Sequence, residues 1–445
     1  MSPTDPRAAL ASGLSFLIPG LGQAYNRQRR LAIVLAIPVL LTLGAAALTV
    51  SIAGEGILAR LLDPQTLAGL LVLDVVLLVW RLVAIIQAHG RRAPFSVRAW
   101  PTWVTAALLV LTLGMHALPG WYAVLAIQTL GNVTGGADRA GPDDVFSEFG
   151  ELPVPHNPPQ IEQGERVNIL LVGTDALPGR THDLTDTMLV VSIDPDGGPP
   201  AMVSVPRDLY GAPLPEGGSY MAKINSLMNF AAARPTEFPL GGPGTLKASI
   251  GLLLGVDIHY FGAINLLGFK QAVDAIGGVE VEVTRGIYDS SYQDENGDMT
   301  GFYLDPGTHY MDGHLALAYV RSRLGSGDND FTRADRQQQL LAAIQAKLTA
   351  GNLLLALPGL LDAVENTIIM DIPADQFSLL AQAVQDADRD ALRRAVIQPP
   401  LVSYRLDPVA GSILLPDYPA IVALGQDLLG EEPASSPAVT PQPGD

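Results

Sequence analysis

The run Leu31–Ala53, LAIVLAIPVLLTLGAAALTVSIA, extends for 23 residues without a charge. At 1.5 Å per residue, a helix of that length crosses a hydrocarbon core about 30 Å thick. A second apolar run, 66–88, is interrupted by Asp74 and Arg81, and a third, 103–127, has Trp100 and Trp103 at one end and Trp121 and Tyr122 at the other. Aromatic side chains favour the interfacial depths of a bilayer. The chain is therefore expected to open with a helical transmembrane region, 1–130, holding about three spans at 31–53, 66–88 and 103–127. The first run is too long for a signal-peptide core and has no small-residue cleavage site behind it, which favours retention in the membrane. Upstream, LSFLIPGLGQAY is apolar but broken by Pro19, Gly20 and Gly22, and reads as an interfacial or re-entrant segment.

Charge orients these spans. NRQRR precedes the first and HGRRAPFSVR lies between the second and third, whereas the segment between the first two carries only Glu55, Arg60 and Asp63. Basic loops stay in the cytoplasm, so three crossings place everything after about residue 130 outside it, as the extracytoplasmic part of a multi-pass protein of the cytoplasmic membrane. Asp74 within a span reads as a carboxylate facing a neighbouring helix, or protonated, with an intramembrane function as the alternative. Residues 1–130 hold nine Lys/Arg against four Asp/Glu, or +5, and the remainder 18 against 41, or −23. So acidic a main domain excludes nucleic acid as partner, because phosphate-backbone binding needs a basic face. Absence of cysteine excludes disulfides, thiolate metal sites and cysteine nucleophiles.

Residues 131–165 are dense in Gly, Pro and acids and read as a flexible linker; 431–445, EEPASSPAVTPQPGD, reads as a disordered tail. Between them, strand-like runs (VNILLVG, TMLVVSID, AMVSVP, IHYFGAI, VEVEV) alternate with helix-like ones (KINSLMNFAAA, GTLKASIGLLLG, NLLGFKQAVDAIGG, ADRQQQLLAAIQAKLTAG), and further helices are expected at 353–367, 375–387 and 416–429. The pattern predicts an α/β domain over 166–430, with a central mixed β-sheet flanked by α-helices on both faces.

Asp175 ends the first strand and Asp186 opens the second, so both project from one sheet edge. Two carboxylates there suit a hard divalent ion such as Mg²⁺, which takes one or two protein carboxylates and leaves its other positions to water and phosphate oxygens; the plainer reading is a pair of turn caps. SVPRDLYG supplies Arg207 and Asp208, and YVRSRLGSGDNDFTRADRQQQ supplies Arg321, Arg323, Arg333 and Arg336. In an extended segment Arg321 and Arg323 point to one side, and in a helix Arg333 and Arg336 share a face. Guanidinium groups bind phosphate oxygens bidentately, so this cluster fits an anionic partner; internal ion pairs with Asp328 and Asp330 are the alternative. His309 and His314 read as structural.

From Asn168 to about Leu348 the chain resembles the LytR-CpsA-Psr family of envelope glycopolymer transferases. The resemblance rests on NILLVGTD, TDTMLVVSIDP, SVPRDLYG, KIN at 223–225, GGP at 241–243, HYFGAINLLGFKQAVDAIGGVEVEV, PGTHYMDGHLALAYVRSR and DFTRADRQQQ, in the family's order. It implies an apolar tunnel for a polyprenyl chain and transfer of a glycopolymer from a polyprenyl-pyrophosphate carrier to a peptidoglycan hydroxyl. By the same resemblance, Asp175 and Asp186 hold Mg²⁺, Arg207, Arg321, Arg323 and Arg333 embrace the pyrophosphate, and Lys223, Asn225 and Gln337 fall beside it. Asp186, Asp208 and Asp330 are the candidate bases. Members carry Arg two residues after the first Asp and two before the second, where this chain has Leu177 and Leu184; Arg180 and His182 lie between as alternative phosphate contacts. Hydrolysis of the same donor, and non-catalytic binding of polyprenyl lipids, are the alternative functions.

Overall fold

The computed structural model describes residues 2–53, 63–134, 166–175, 184–294, 297–325, 327–347, 359–360, 367–373, 376–388 and 391–430. Two compact units divide the chain, Met1–Gln128 and Thr129–Asp445.

The first unit is helical: α1 (Pro6–Leu17), α2 (Leu21–Tyr25), α3 (Arg29–Ala53), α4 (Pro64–Gly90) and α5 (Trp100–Thr134). Among the described residues three helices are long and apolar enough to cross a membrane: Arg29–Thr49, Pro64–Gly90 and Trp100–Thr129. The α5 helix runs to Thr134, four residues into the segment read as linker; 135–165 and 431–445 lie outside the described residues. The LSFLIPGLGQAY segment folds as parts of α1 and α2, separated at Pro19–Gly20, and docks on α4. Gln23 Nε2 donates to the Ala84 carbonyl at 2.7 Å, Asn26 Nδ2 to that of Ala88 at 2.9 Å, and Arg81 Nη2 to that of Phe16 at 2.7 Å. Each of these bonds satisfies a polar group that an apolar setting would otherwise penalise.

Asp74 is not isolated. Its Oδ1 lies 2.7 Å from His116 Nδ1 on α5. Breaking a buried pair costs more than removing it, because the surviving group loses its only compensation. His116→Leu alone is therefore expected to lower the melting temperature in detergent, and Asp74→Leu/His116→Leu to recover most of that loss. Additive losses in the double variant would show that the pair is uncoupled.

The second unit has fourteen strands: β1 (Val167–Thr174), β2 (Thr185–Ile193), β3 (Ala201–Ser204), β4 (Tyr210–Pro213), β5 (Ser219–Lys223), β6 (Tyr260–Asn265), β7 (Val279–Val283), β8 (Ile287–Asp289), β9 (Phe302–Leu304), β10 (Gly307–Met311), β11 (Ile368–Met370), β12 (Arg393–Val396), β13 (Val402–Asp407) and β14 (Gly411–Pro416). Its helices are α6 (Leu227–Ala232), α7 (Gly241–Leu254), α8 (Leu266–Ala275), α9 (Gly313–Arg321), α10 (Asp330–Lys347), α11 (Phe377–Asp386) and α12 (Tyr418–Leu429). Six strands form one mixed sheet in the order β11-β6-β1-β2-β3-β12. There β1 pairs parallel with β6 and β3 with β12, while β2 and β11 run antiparallel to their neighbours. VEVEV forms β7 but stands outside this sheet, paired with β10, as its strict inward–outward alternation suits a two-stranded ribbon with one wet face.

Side-chain alternation divides the core. Leu170, Val172, Met188 and Val190 face Leu246, Ile250 and Leu253 of α7 and Ile421 and Leu428 of α12. Val167, Ile169 and Ile193 on the other face pack with Leu380 and Ala383 of α11. The α8 helix starts where Asn265 Oδ1 accepts the Gly268 N–H at 2.8 Å, and α9 where Asp312 Oδ1 accepts that of Leu315 at 2.8 Å. These two helices touch at Gly313, where a Cβ would lie 2.1 Å from the Lys270 carbonyl oxygen, so only glycine permits the approach. The helix expected at 353–367 falls almost wholly outside the described residues.

Candidate active site

Between the second face of the sheet and helices α8, α9 and α10 lies a cavity of about 440 Å³, within the size range of small-ligand pockets. Its walls are greasy: Leu171, Leu189 and Ile264 from the strands, Phe269, Leu340 and Ile344 from the helices. At the sheet edge the lining changes to Asp186, Arg321, Arg323, Arg333 and Gln337. This is the edge where β1, β3 and β6 end, the usual ligand side of an open α/β sheet.

The mouth is an ion network. Arg207, in the turn after β3, donates from Nη1 to Asp186 Oδ1 at 2.7 Å, and its Nε lies 3.5 Å from Asp330 Oδ1. The same Asp330 oxygen lies 3.1 Å from Arg333 Nη2 and 3.8 Å from Arg323 Nη1. Arg333 Nη2 also donates to the Asp186 carbonyl at 3.1 Å. Burial works to lower the Arg207 guanidinium, but Asp186, Asp330 and Asp208 outweigh it and raise its pKa. For Arg333, burial wins over the attraction of Asp330, Arg207 adds repulsion, and the pKa falls from its ordinary value.

Three guanidiniums, those of Arg207, Arg323 and Arg333, thus share two carboxylates, while Arg321 beside them pairs with neither among the described residues. Arg207 Nε, Arg321 Nη1 and Arg333 Nε are buried without a hydrogen bond. Arg207 Nε still has Asp330 at 3.5 Å and Asp330 Oδ1 itself lacks a hydrogen bond, but buried polar atoms almost always find partners, so the two donors within the cavity lining, on Arg321 and Arg333, fit a site that an anion completes. Arg333 is 7 % exposed and Arg323 37 %, which grades the cluster from buried floor to open rim.

The Arg321–Arg323 stretch departs from its extended reading: α9 continues through Arg321, and the backbone becomes extended only at Ser322 (ψ 136°). Both side chains still reach the cavity because the turn wraps a buried carboxylate. Asp289 Oδ2 accepts from Ser322 Oγ at 2.8 Å and from the N–H groups of Arg323 at 3.3 Å and Leu324 at 3.2 Å. Arg336 does not join the set. Three residues along a helix fall about 60° short of a full turn, and that rotation carries Arg336 to the other flank, where Nη1 pairs with Asp328 Oδ2 at 3.0 Å and Nη2 donates to the Ser322 carbonyl.

Lys223 and Asn225 stand behind the cavity, whereas Gln337 lines it. Lys223 Nζ is 2.8 Å from Asp208 Oδ1, outside the lining. Asn225 acts through its backbone, its N–H donating to the Arg207 carbonyl at 3.2 Å and its carbonyl accepting from Thr185 Oγ1 at 3.1 Å. Gln337 Nε2 donates to Thr187 Oγ1 at 2.9 Å and to the Val320 carbonyl at 3.3 Å, tying α10 to β2 and α9. Leu177, Arg180 and His182 lie outside the described residues. Asp289 and Thr187 escaped the sequence reading; Asp289 has no motif or period to mark it.

Asp175 and Asp186 flank the loop end of the β1–β2 hairpin, where Thr174 pairs with Thr185. Asp175 Oδ1 accepts the Leu184 N–H at 2.8 Å, and Asp186 Oδ1 accepts from Arg207. Among the described residues no three His, Asp or Glu group together as metal ligands. Two carboxylates beside a cluster of arginines nevertheless suit the donor demand of Mg²⁺, which needs few protein ligands when phosphate and water fill the rest.

A polyisoprenyl-teichoic acid–peptidoglycan teichoic acid transferase TagU from Oceanobacillus iheyensis is 29% identical over 289 residues, covering 64% of this chain and 80% of that one. One of the same description from Bacillus mycoides is 30% identical over 217 residues; the match takes in 49% of this chain and 64% of that relative. Among solved structures, protein gbs0355 from Streptococcus agalactiae aligns with a TM-score of 0.49 at 22% identity over 62% of this chain and 92% of its own, and B. subtilis TagV with 0.46 at 22% over 61% and 99%. The LytR_cpsA_psr family profile matches residues 144–400, more than half of the chain, and with the motifs, mixed sheet and arginine-rimmed cavity already described, this chain belongs to the LytR-CpsA-Psr family.

Proposed function

We propose that this chain transfers a glycopolymer from a polyprenyl-pyrophosphate carrier to a hydroxyl of peptidoglycan, as an Mg²⁺-dependent phosphotransferase. The observation that carries the reading is the cavity itself, apolar along its length and rimmed by arginines with unpartnered buried N–H groups. A lipid tail fits the walls and a pyrophosphate the mouth. The relatives' description as teichoic acid transferases supports the same reaction class.

Phosphoryl transfer needs in-line positioning and neutralisation of phosphate oxygens more than it needs a protein nucleophile. In the proposed step, an acceptor oxygen attacks the phosphorus nearer the glycan. The bond from that phosphorus to the bridging oxygen breaks, leaving a phosphodiester and polyprenyl phosphate. Arg207, Arg321, Arg323 and Arg333 hold the charge on the pyrophosphate, and Asp330, which shares the mouth without being one of the two metal carboxylates, takes the hydroxyl proton. Asp175 and Asp186 would hold Mg²⁺, which supplies further charge neutralisation when bound. The basic loops around α3–α5 support a multi-pass protein with its N-terminus in the cytoplasm and this domain outside.

Incubating the purified protein with a synthetic lipid-pyrophosphate sugar, wall fragments and Mg²⁺ tests the reading. A phosphodiester conjugate with released polyprenyl phosphate is expected. Free glycan phosphate would instead identify a hydrolase, and bound lipid without turnover a carrier protein. Ile344→Trp, which fills the cavity, is expected to weaken binding of a long-chain donor more than of a short-chain analogue. Equal losses for both chain lengths would remove the lipid from this cavity.

A further inference from the structure

A second cavity, of about 800 Å³, lies on the opposite flank of α10, and the two linings have no residue in common. Helical phase explains the division. Arg333, Gln337, Leu340, Leu341 and Ile344 face the lipid cavity, whereas Thr332, Asp335, Arg336 and Gln339 face the second one. The two differ in chemistry. Alongside apolar side chains such as Ile287, Leu401 and Leu424, the second carries groups that hydrogen-bond through forks and amides, with both signs of charge: Asp328, Asp335, Arg336, Gln339, Arg394 and Gln398. Arg336, 8 % exposed, has a buried Nε without a hydrogen bond in this lining. An anion would meet carboxylates here, and a lipid tail would strand polar groups. A chain of hydroxyls would satisfy both, since carboxylates accept from adjacent hydroxyls while guanidiniums and amides donate to them. One end of the cavity, at Asp328 and Thr332, adjoins the first turn of α10, which also carries Asp330 and Arg333 of the phosphate mouth.

We propose that this second cavity binds a polyhydroxylated glycan strand and that the strand is the acceptor, entering along one flank of α10 while the lipid donor occupies the other. The proposal rests on the transferase reading and adds the acceptor's place to it. A donor's own sugars share the chemistry, so the experiment separates the two sources.

Binding of a soluble, uncross-linked peptidoglycan glycan strand is measured on the full chain in nanodiscs with no donor present, and binding of a synthetic lipid-pyrophosphate sugar is measured in parallel. Asp335→Ala/Arg394→Ala is expected to weaken strand binding about tenfold or more and to leave donor binding unchanged, since hydrogen bonds to charged groups are the strong ones. Both side chains are exposed, so the fold should survive, and Gln398→Ala supplies an independent uncharged check in the same direction. Unchanged strand affinity in both variants overturns the proposal, as does loss of donor binding in place of strand binding. Strand binding that depends on these residues, in a protein that forms no phosphodiester conjugate, would reject the transferase reading and keep the glycan site.

Discussion

Replacing Arg321 with alanine is expected to lower transfer by about 10²–10³-fold while leaving the melting temperature unchanged or slightly higher. Unlike Arg207, Arg323 and Arg333, Arg321 has no carboxylate partner among the described residues. Its Nη1 is buried without a hydrogen bond, and its guanidinium carbon lies 5.8 Å from the centre of the Tyr292 ring. A cation held that way contributes little to folding and much to a bound diphosphate. Arg321→Lys should rescue poorly, because a point charge cannot reproduce a planar fork. Conjugate formation at the wild-type rate in Arg321→Ala would remove this mouth from the reaction.

Asp289→Ala is expected to cause the largest loss of stability, about 3 kcal/mol or more. That corresponds to a fall of roughly 6–12 °C in melting temperature for a domain of this size. Asp289 is 2% exposed and accepts from Ser322 Oγ and the N–H groups of Ser291, Arg323 and Leu324. Removing it orphans four donors at once and releases the turn that aims Arg321 and Arg323. Transfer should therefore fall even below the melting transition, with Asp289→Asn intermediate because an amide oxygen still accepts. Normal thermal stability in Asp289→Ala, read by circular dichroism, would contradict this account.

The strands and helices around the site were legible in the sequence because their signals are local. NILLV and TMLVVSI are short and β-branched, and ADRQQQLLAAIQAKL repeats with helical period. Strand order was not legible. That β6 lies beside β1, with β11 added outside it, is decided by which faces the helices cover, and no local pattern encodes that. Arginine content at the mouth could be read, but arginine direction could not. Arg336 is diverted by Asp328 on the preceding turn, and Arg321 is delivered by a helix end where alternation suggested a strand. Asp289 was invisible because one acidic residue in a polar loop has the same appearance whether it is solvated or holds the turn beneath two functional side chains. Asp74 was conspicuous, but its partner His116, 42 positions away, could be paired with it only by the fold.

The α10 partition has an evolutionary consequence. Each cavity meets different strands across from it: β1, β2 and β6 with α8 on the apolar side, the edge strand β12 and the segment after it, with residues 284–287, on the polar side. Substitutions along 398–401 can therefore change the polar cavity while the apolar one keeps its composition. An insertion early in α10 is a change both sides would feel, because each added residue turns the helix by about 100° and shifts Arg333 and Arg336 relative to their respective chambers together.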